Sequence, residues 1–253
     1  MLMRRIIVLS AIVGSVIGFV AGCDGSSGKA GSTGEGSQKA YAPHISPADF
    51  TTTIDNRYFP LKPGTTFVYE GTVTENHQDT TERDEMAVTH DTKQIMGVEC
   101  VEVNDKVWEE GKLIEQTFDW YAQDEEGNVW YFGEDSKELE NGKVTSTKGS
   151  WEAGKDGAKP GIIMQAHPKV GQTYRQEYYK GEAEDMALVL DVNGSAKVPY
   201  GSFNHVLVTK DWNPLEPSLL EHKYYAAGVG NVMEISVKGP PERIELVEVK
   251  STS

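Results

Sequence analysis

The acidic side chains of this chain occur in groups, and the first group suggests cation binding. Asp124 and Glu126 lie in an uninterrupted acidic run, and Asp135 follows further along the chain. Carboxylate oxygens on adjacent turns are the ligands that Ca²⁺ prefers, although this spacing departs from the EF-hand loop. The sequence therefore suggests a calcium site formed by Asp124, Glu126 and Asp135. The alternative is a solvated acidic turn that keeps a sheet edge soluble.

A second acidic group lies close to a segment rich in glycine and charge. Glu182 and Asp185 follow the segment 149–161, which contains Trp151. Paired carboxyl groups near a tryptophan suit general acid–base chemistry on a sugar. Because nothing in the sequence fixes the separation of these carboxyl groups, a hydrolase with an acidic site at 149–185 is an alternative and not the main expectation.

Familiar catalytic motifs are missing from the sequence. It has no Gly-x-Ser-x-Gly elbow, phosphate-binding loop, dinucleotide fingerprint, His-Glu-x-x-His or Cys-x-x-Cys. The histidines are scattered singly, at His44, His77, His90, His167, His205 and His222. We therefore name no catalytic residue and lean towards a protein without enzymatic activity.

Aromatic residues are concentrated in segments that look like strands. In a run such as Trp130-Tyr131-Phe132, alternation along a strand must send neighbouring side chains to opposite faces of a sheet. One face supplies the core, and the other is either covered or available for binding. A half-open barrel lined by aromatic residues can hold an acyl chain or another apolar ligand. The candidate ligand-binding residues are Trp120, Trp130, Trp151, Tyr179 and Tyr224. Core packing is the alternative role.

Strand-like segments dominate the chain. β-Branched and aromatic stretches recur at intervals of about 8–12 residues with glycine turns between them, and the amphipathic period of a helix is not sustained. Asn141-Gly142 has the composition of a two-residue hairpin turn. These features predict an all-β fold, an antiparallel meander that is either barrel-like or a sandwich.

Two distant segments repeat the same short motifs. Tyr-Ala occurs at 121–122 and 225–226, and Gly-Asn-Val occurs at 127–129 and 230–232. The repetition predicts a single β-rich domain over residues 41–253, built from two related halves at about 56–148 and 165–250. Two separately folded β-domains are the alternative.

The N-terminal segment has the features of an export signal. A positive start is followed by the apolar run 6–20 and the tetrapeptide Val20-Ala21-Gly22-Cys23, which resembles the lipobox of bacterial lipoproteins. The resemblance implies that a signal peptide, residues 1–22, is removed and that Cys23 is lipidated. Acyl chains supply about 0.8 kcal/mol of membrane affinity per buried methylene group. The alternatives are an ordinary secretory signal with a chance cysteine and a plain transmembrane anchor.

Composition limits what the rest of the chain binds. The Gly/Ser-rich composition of residues 23–40 predicts a flexible tether. The formal net charge of −15 argues against nucleic acid and against broad contact with anionic headgroups. With Cys23 lipidated, Cys100 would have no disulfide partner, and we interpret it as a buried structural thiol.

The chain resembles uncharacterised bacterial lipoproteins with a repeated β-meander. The resemblance covers most of 56–250 and rests on Lys62-Pro63-Gly64 with Tyr69, on 120–122 and on 224–232. These are signatures of turns and strands, so the resemblance implies a fold and a location but no activity.

We therefore expect an envelope lipoprotein, lipid-anchored to a membrane and facing the periplasm or the cell exterior. Its expected role is that of a non-catalytic binding module for an apolar ligand or a protein partner. No cofactor is expected apart from the calcium ion considered above. The alternatives are the hydrolase and a purely structural envelope component.

Overall fold

The computed structural model describes residues 41–75 and 77–251, and its regular elements are almost all strands. A short 3-10 helix spans Pro47–Asp49. The strands are β1 Phe50–Thr51, β2 Thr65–Glu75, β3 Gln78–Ile95, β4 Val98–Glu109, β5 Lys112–Asp124, β6 Val129–Glu140, β7 Lys143–Ser146, β8 Trp151–Glu152, β9 Lys159–Met164, β10 Thr173–Arg175, β11 Glu177–Tyr178, β12 Met186–Val198, β13 Gly201–Trp212, β14 Leu220–Ala226, β15 Gly230–Lys238 and β16 Glu242–Ser251. Within these ranges, no helix is long and apolar enough to cross a membrane.

The strands form one antiparallel, barrel-like sheet, which confirms the predicted fold class. Its order is β10–β12–β13–β14–β15–β16–β2–β3–β4–β5–β6–β9–β11, while β1 pairs with β5 and both β7 and β8 pair with β6. The two ends of this order, β10 and β11, follow one another in the chain. The sheet therefore curls round until its first and last strands are neighbours, and the barrel is nearly closed.

Alternation along the strands separates the barrel interior from its outer surface. In β5, the buried residues Glu115, Thr117 and Asp119 alternate with partly buried ones, whereas all of 119–123 are buried. The hairpin at Asn141 and Gly142 has φ values of 53° and 75°, as a two-residue turn that matches the twist of its strands requires. The predicted turn is confirmed.

A segment ahead of β2 closes one end of the barrel. Tyr58 and Phe59 of this segment are buried and form a plug at that end. The Asn56 side-chain amide donates a hydrogen bond to the carbonyl of Gly127, at 2.8 Å, and the Gly228 N–H donates to the carbonyl of Arg57, at 2.7 Å. The plug is thus tied to the β5–β6 turn and to the β14–β15 turn.

The two predicted halves share details of strand pairing. The β5–β6 ladder shifts register between Trp120 and Tyr121, and the β14–β15 ladder shifts between Tyr224 and Tyr225. After the shift, Ala122 pairs with Trp130, and Ala226 pairs with Gly230. The repeated Tyr-Ala motif therefore marks the same irregularity in both ladders.

The turns that open the two halves also match. The Gly64 N–H donates to the carbonyl of Val88, and the Gly171 N–H donates to the carbonyl of Val189, both at 2.9 Å. Both glycines have positive φ, at 83° and 85°, where glycine carries no steric penalty. The duplication stays a prediction, and these shared contacts support it.

Candidate functional site

A cavity lies inside the barrel between the two halves. Its apolar lining includes Phe59 and Leu61 of the plug, Phe67 and Tyr121 of the first half, and Tyr225 of the second. It offers about 80 Å³ for the centres of water-sized molecules. One water needs about 10–15 Å³ on this measure, so the cavity has room for several waters or a small organic group.

The rest of the lining is strongly acidic. Six carboxyl groups and one amine line the cavity: Glu82, Asp84, Asp105, Asp119, Glu234, Glu242 and Lys223. Strand alternation explains how acids and aromatic residues share one lining. In β5, for example, Asp119 lies two residues from Tyr121 and therefore on the same face. Tyr121 lies nearer the plug, so this strand presents an aromatic ring at the plugged end and a carboxyl group further along the barrel.

Asp84 and Asp105 form a close carboxyl pair across β3 and β4. Asp105 is 6% exposed, and the Oδ1 atoms of both residues are buried and accept no hydrogen bond from a residue outside the pair. Burial raises the pKa of Asp84 well above its ordinary value, and the charge and hydrogen bond of Asp105 raise it further. Burial also raises the pKa of Asp105. Two carboxyl groups in such contact share a proton at neutral pH, because both cannot ionise without a nearby cation.

Asp119 lies beside this pair and is 3% exposed. The Tyr131 hydroxyl donates a hydrogen bond to its Oδ1 atom at 2.5 Å. Burial raises the pKa of Asp119 well above its ordinary value, and the charge of Asp105 adds to the effect. Asp119 is therefore a further acid whose ionisation waits for positive charge.

Lys223 supplies the one amine of the cavity lining and is 6% exposed. Its ammonium lies 3.3 Å from Oε2 of Glu234. Burial alone would lower the pKa of Lys223, but the charges of Glu234, Glu221 and Asp211 outweigh burial and raise it. Lys223 is therefore a fixed cation within the second half.

A second buried carboxyl pair is formed by Glu177 and Asp185. Burial raises the pKa of Glu177 well above its ordinary value, and the nearby charge of Asp185 raises it further. Asp185 was one of the acids considered for a hydrolase, whereas Glu184 of the same group instead lies 3.7 Å from Arg175. A glycosidase needs its two carboxyl groups to reach a sugar from positions about 5 Å or more apart, whereas both carboxyl oxygens of Glu177 are buried. The pair gives the hydrolase alternative no support.

The five predicted aromatic residues lie outside the lining of the interior cavity. Trp120, Trp151 and Tyr179 line a separate cavity beside the segment that follows β7. Trp130 lines a groove near the barrel seam, and Tyr224 is partly buried against the core. Their roles as ligand contacts in those places stay a prediction.

Sequence reasoning missed Tyr121 and Tyr225, the aromatic residues that do face the interior cavity. Each lies next to a predicted candidate, Trp120 or Tyr224, and neighbouring residues on a strand point to opposite faces. The signal was present in the repeated Tyr-Ala motif, because both of its tyrosines face inward.

The structure does not bring the three predicted calcium ligands together. Asp124 accepts hydrogen bonds from the backbone N–H of Asn128, at 2.8 Å, and from the Trp130 indole, at 2.7 Å. Asp135 pairs with Lys137 and lies opposite Phe118, roughly 20 Å along β5 from Asp124. Among residues 41–75 and 77–251, no group of three or more His, Cys, Asp or Glu is arranged to hold a metal. The calcium site stays a prediction without support from this geometry.

Only one of the two cysteines, Cys100, lies within the described residues. Cys100 is fully buried, as predicted, and burial raises the pKa of its thiol to about 12. A thiol with such a pKa stays protonated and unreactive at neutral pH. Cys23 lies outside the described residues, so its lipidation stays a prediction.

Comparisons with known proteins give distant matches. No protein-family model matches the chain, and no curated protein sequence matches it. One similar solved structure is of a protein proposed to be exported, with a YmcC-like fold, from Bacteroides fragilis NCTC 9343, at 14% identity and a TM-score of 0.44. Another is of a proposed lipoprotein from Parabacteroides distasonis ATCC 8503, at 12% identity and a TM-score of 0.42. Each match covers 77% of this chain and 99% of the other. At these values the likeness carries no inference about what this chain does.

Proposed function

We propose that this protein is a lipid-anchored binding module of the cell envelope and that its ligand site is the cavity between the two halves. The observation that carries the proposal is that both halves and the plug contribute lining residues to one cavity. A cavity enclosed by packed walls is the usual form of a small-molecule site.

The cavity favours a small ligand over a protein partner. Phe59, Phe67, Tyr121, Tyr225 and Ile244 offer apolar surface inside the barrel. Transfer of apolar surface from water to such a lining contributes about 25 cal/mol per Å². Within residues 41–75 and 77–251, the large exposed apolar side chains are instead spread over separate elements, at Met96, Val144, Val170, Val192, Tyr200, Leu215 and Val237.

The proposed location rests on the N-terminal sequence. The lipobox-like tetrapeptide ending at Cys23 and the Gly/Ser-rich residues 23–40 together support an anchor followed by a tether. Fractionation of cells that express the wild-type chain or Cys23→Ala tests this part. The wild-type chain is expected in the membrane fraction, and the variant is expected to leave it; equal membrane association of both would contradict the lipid anchor.

Native mass spectrometry of the full chain, purified from its source organism and followed by solvent extraction, tests the binding role. A small molecule that co-purifies at a fixed stoichiometry is expected. Met86 lines the cavity, so Met86→Trp should reduce the bound fraction, whereas Val144→Trp on the exposed hairpin should not. A ligand-free mass for the wild type, or equal occupancy in both variants, would contradict a ligand site in this cavity.

A further inference from the structure

We propose that the interior cavity binds a small organic cation, an ammonium group on an apolar stem. The ammonium binds in the first half, beside Asp119, which is the residue equivalent to Lys223 of the second half. The inference rests on the proposed function, since it names the ligand class of the same cavity.

The first step is the equivalence of Asp119 and Lys223. Asp119 lies two residues before Tyr121, and Lys223 lies two residues before Tyr225. Each of these tyrosines directly follows the shared register shift. Strand pairing therefore gives the two halves opposite charge at one interior position.

The second step is that the cross-strand partners of this position are acidic in both halves. Asp119 pairs with Glu134, and Lys223 pairs with Glu234. The neighbouring ladders agree, because Val103 pairs with Asp119 and Thr209 pairs with Lys223. Two residues further along β4 and β13 come Asp105 and Asp211, which are equivalent acids. The acidic framework is thus shared, and the fixed cation belongs to the second half.

The third step is the unequal neutralisation of these acids. In the second half, the Lys223 ammonium lies 3.3 Å from Glu234 and favours the charged form of Asp211. In the first half, the described residues that line the cavity include no lysine or arginine. Apart from the proton that the pair shares, no described N–H or O–H group donates to Oδ1 of Asp84 or of Asp105. Both residues line the cavity, and neither has a lysine or arginine of the first half beside it there.

An ammonium ion supplies both of the missing elements. It carries three N–H donors and a positive charge, and hydrogen bonds between charged partners are about twice as strong as neutral ones. When the ammonium binds, the proton shared by Asp84 and Asp105 is released to solvent, and the pair passes from one negative charge to two. No covalent bond changes, and charge is conserved by the proton that leaves.

The apolar part of the cavity selects the rest of the ligand. Phe59, Leu61 and Tyr121 offer no oxygen ligand set to a bare metal ion but do offer surface to a hydrocarbon stem. Ca²⁺ takes about 6–8 oxygen ligands, and the described carboxyl groups form no such cluster. An amine with a short alkyl or aryl stem fits both regions of the lining.

The proton linkage depends on every charged group around the carboxyl pair. The groups that face Asp84 or Asp105 from neighbouring strands are Tyr69, Glu82, Glu115, Asp119, Lys223 and Glu234. All of these groups except Lys223 are acids, which gain negative charge as the pH rises and so attract an ammonium more strongly. Release of the proton that the pair shares also becomes easier at higher pH. Ammonium affinity is therefore expected to increase from about pH 6 to about pH 8.

Isothermal titration calorimetry of residues 23–253 with Cys23→Ser tests the inference without detergent. The probes are hexylammonium chloride and its neutral analogue 1-hexanol. We expect hexylammonium to bind about 10- to 100-fold more tightly than 1-hexanol, as charge-assisted hydrogen bonds predict. Repeating the titration in buffers of different ionisation enthalpy should show release of about one proton for hexylammonium and none for 1-hexanol.

Matched variants locate the ammonium. Asp105→Asn and Asp119→Asn keep the shape of the side chain, and each should remove most of the preference for hexylammonium while leaving 1-hexanol binding unchanged. Glu125→Gln, on the exposed β5–β6 turn, is the control and should behave like the parent chain. The comparison of the two probes on the parent chain does not depend on any variant folding.

The outcomes separate this inference from the proposed function. Equal affinity for the two probes, or hexylammonium binding without proton release, overturns the organic cation and leaves the apolar binding site standing. Saturable Ca²⁺ binding with no hexylammonium binding also overturns it. If neither probe binds, both the inference and the proposed small-ligand site fail.

Discussion

The two halves of the barrel share a strand framework but differ in how their interior acids are neutralised. In the second half, Lys223 lies within a buried ion pair with Glu234. In the first half, Asp119 occupies the matching position beside Glu134. The second half thus contains its own counter-ion, whereas in the first half burial raises the pKa of Asp84, Asp105 and Asp119, and no lysine or arginine of that half lines the cavity. The difference teaches that one framework can carry a buried ion pair on one side and buried acids without a lysine or arginine on the other.

Removal of the fixed cation should have the largest effect. Lys223→Met leaves Glu234, Glu221 and Asp211 without their shared counter-ion. Loss of one partner from a buried ion pair lowers the free energy of unfolding by about 3–5 kcal/mol. Urea denaturation at pH 7 measures this loss. The control is Lys143→Met at the exposed start of β7, whose unfolding free energy should stay within about 0.5 kcal/mol of the wild type. An equal, small loss in both variants would mean that the ion pair does not hold the second half together.

The buried acids should make the protein less stable as the pH rises. Burial raises the pKa of Glu115 to about 8 and that of Glu242 to about 8. Because these values lie above those of an unfolded chain, the stabilisation is complete below about pH 4.5 and is lost as the pH rises through about 8. Each unit of such a shift corresponds to about 1.4 kcal/mol.

Thermal denaturation between about pH 5 and about pH 9 measures this loss. Glu115→Gln cannot ionise and should flatten the decline, whereas Glu125→Gln on the exposed turn should leave it unchanged. A melting temperature that rises over this range would contradict the assignment of neutral carboxyl groups to the interior.

A backbone contact found in the first half should have an intermediate effect. Gly133 of β6 has φ of 145° and pairs with Trp120 on one side and with Glu152 of β8 on the other. The second half has Met233 at the equivalent position, paired with Tyr224. A Cβ atom at Gly133 would overlap the carbonyl oxygen of Trp151. Gly133→Ala should therefore lower the unfolding free energy by about 2 kcal/mol or more.

The matched control for this contact is Gly201→Ala. Gly201 lies outside the positive-φ region, and its Cβ would meet only the ring of Phe203, at 3.3 Å. A loss within about 0.5 kcal/mol is expected in chemical denaturation. Similar losses in the two variants would show that β8 does not approach β6 as closely as described.

An exchange of equivalent residues should have the smallest effect. Thr209 donates a hydrogen bond to Asp211, and the first half has Val103 at the same position. Thr209→Val keeps the shape but removes the donor, which should lower the unfolding free energy by about 1–2 kcal/mol and raise the pKa of Asp211. Denaturation at pH 5 and pH 8 should show a larger loss at pH 8, where Asp211 is charged; no loss at either pH would contradict the hydrogen bond.

Much of the fold could be predicted from local sequence, because turns and strands are local features. Asn141-Gly142 forms the expected hairpin turn, and Tyr58 with Phe59 plugs the barrel. The face of each strand was harder to assign. The register shift leaves alternation along β5 intact and places its extra residue, Phe132, in β6, so a face assigned on one side of Phe132 is reversed on the other.

The candidate site was not predictable from local grouping. The adjacent acids Asp124 and Glu126 lie at a turn, where Asp124 is occupied by hydrogen bonds from its own turn. The acids of the cavity are single residues on separate strands, such as Asp84, Asp105 and Asp119. Only closure of the sheet brings them together, and their convergence depends on register and twist, which no short motif encodes.

The most direct test of the account places a lysine in the first half. Asp119→Lys gives that half the residue type that the second half has at Lys223. If the cavity takes an organic cation at this position, the variant should lose its hexylammonium binding and its proton release while still binding 1-hexanol. Unchanged hexylammonium affinity in a folded Asp119→Lys protein would contradict the account.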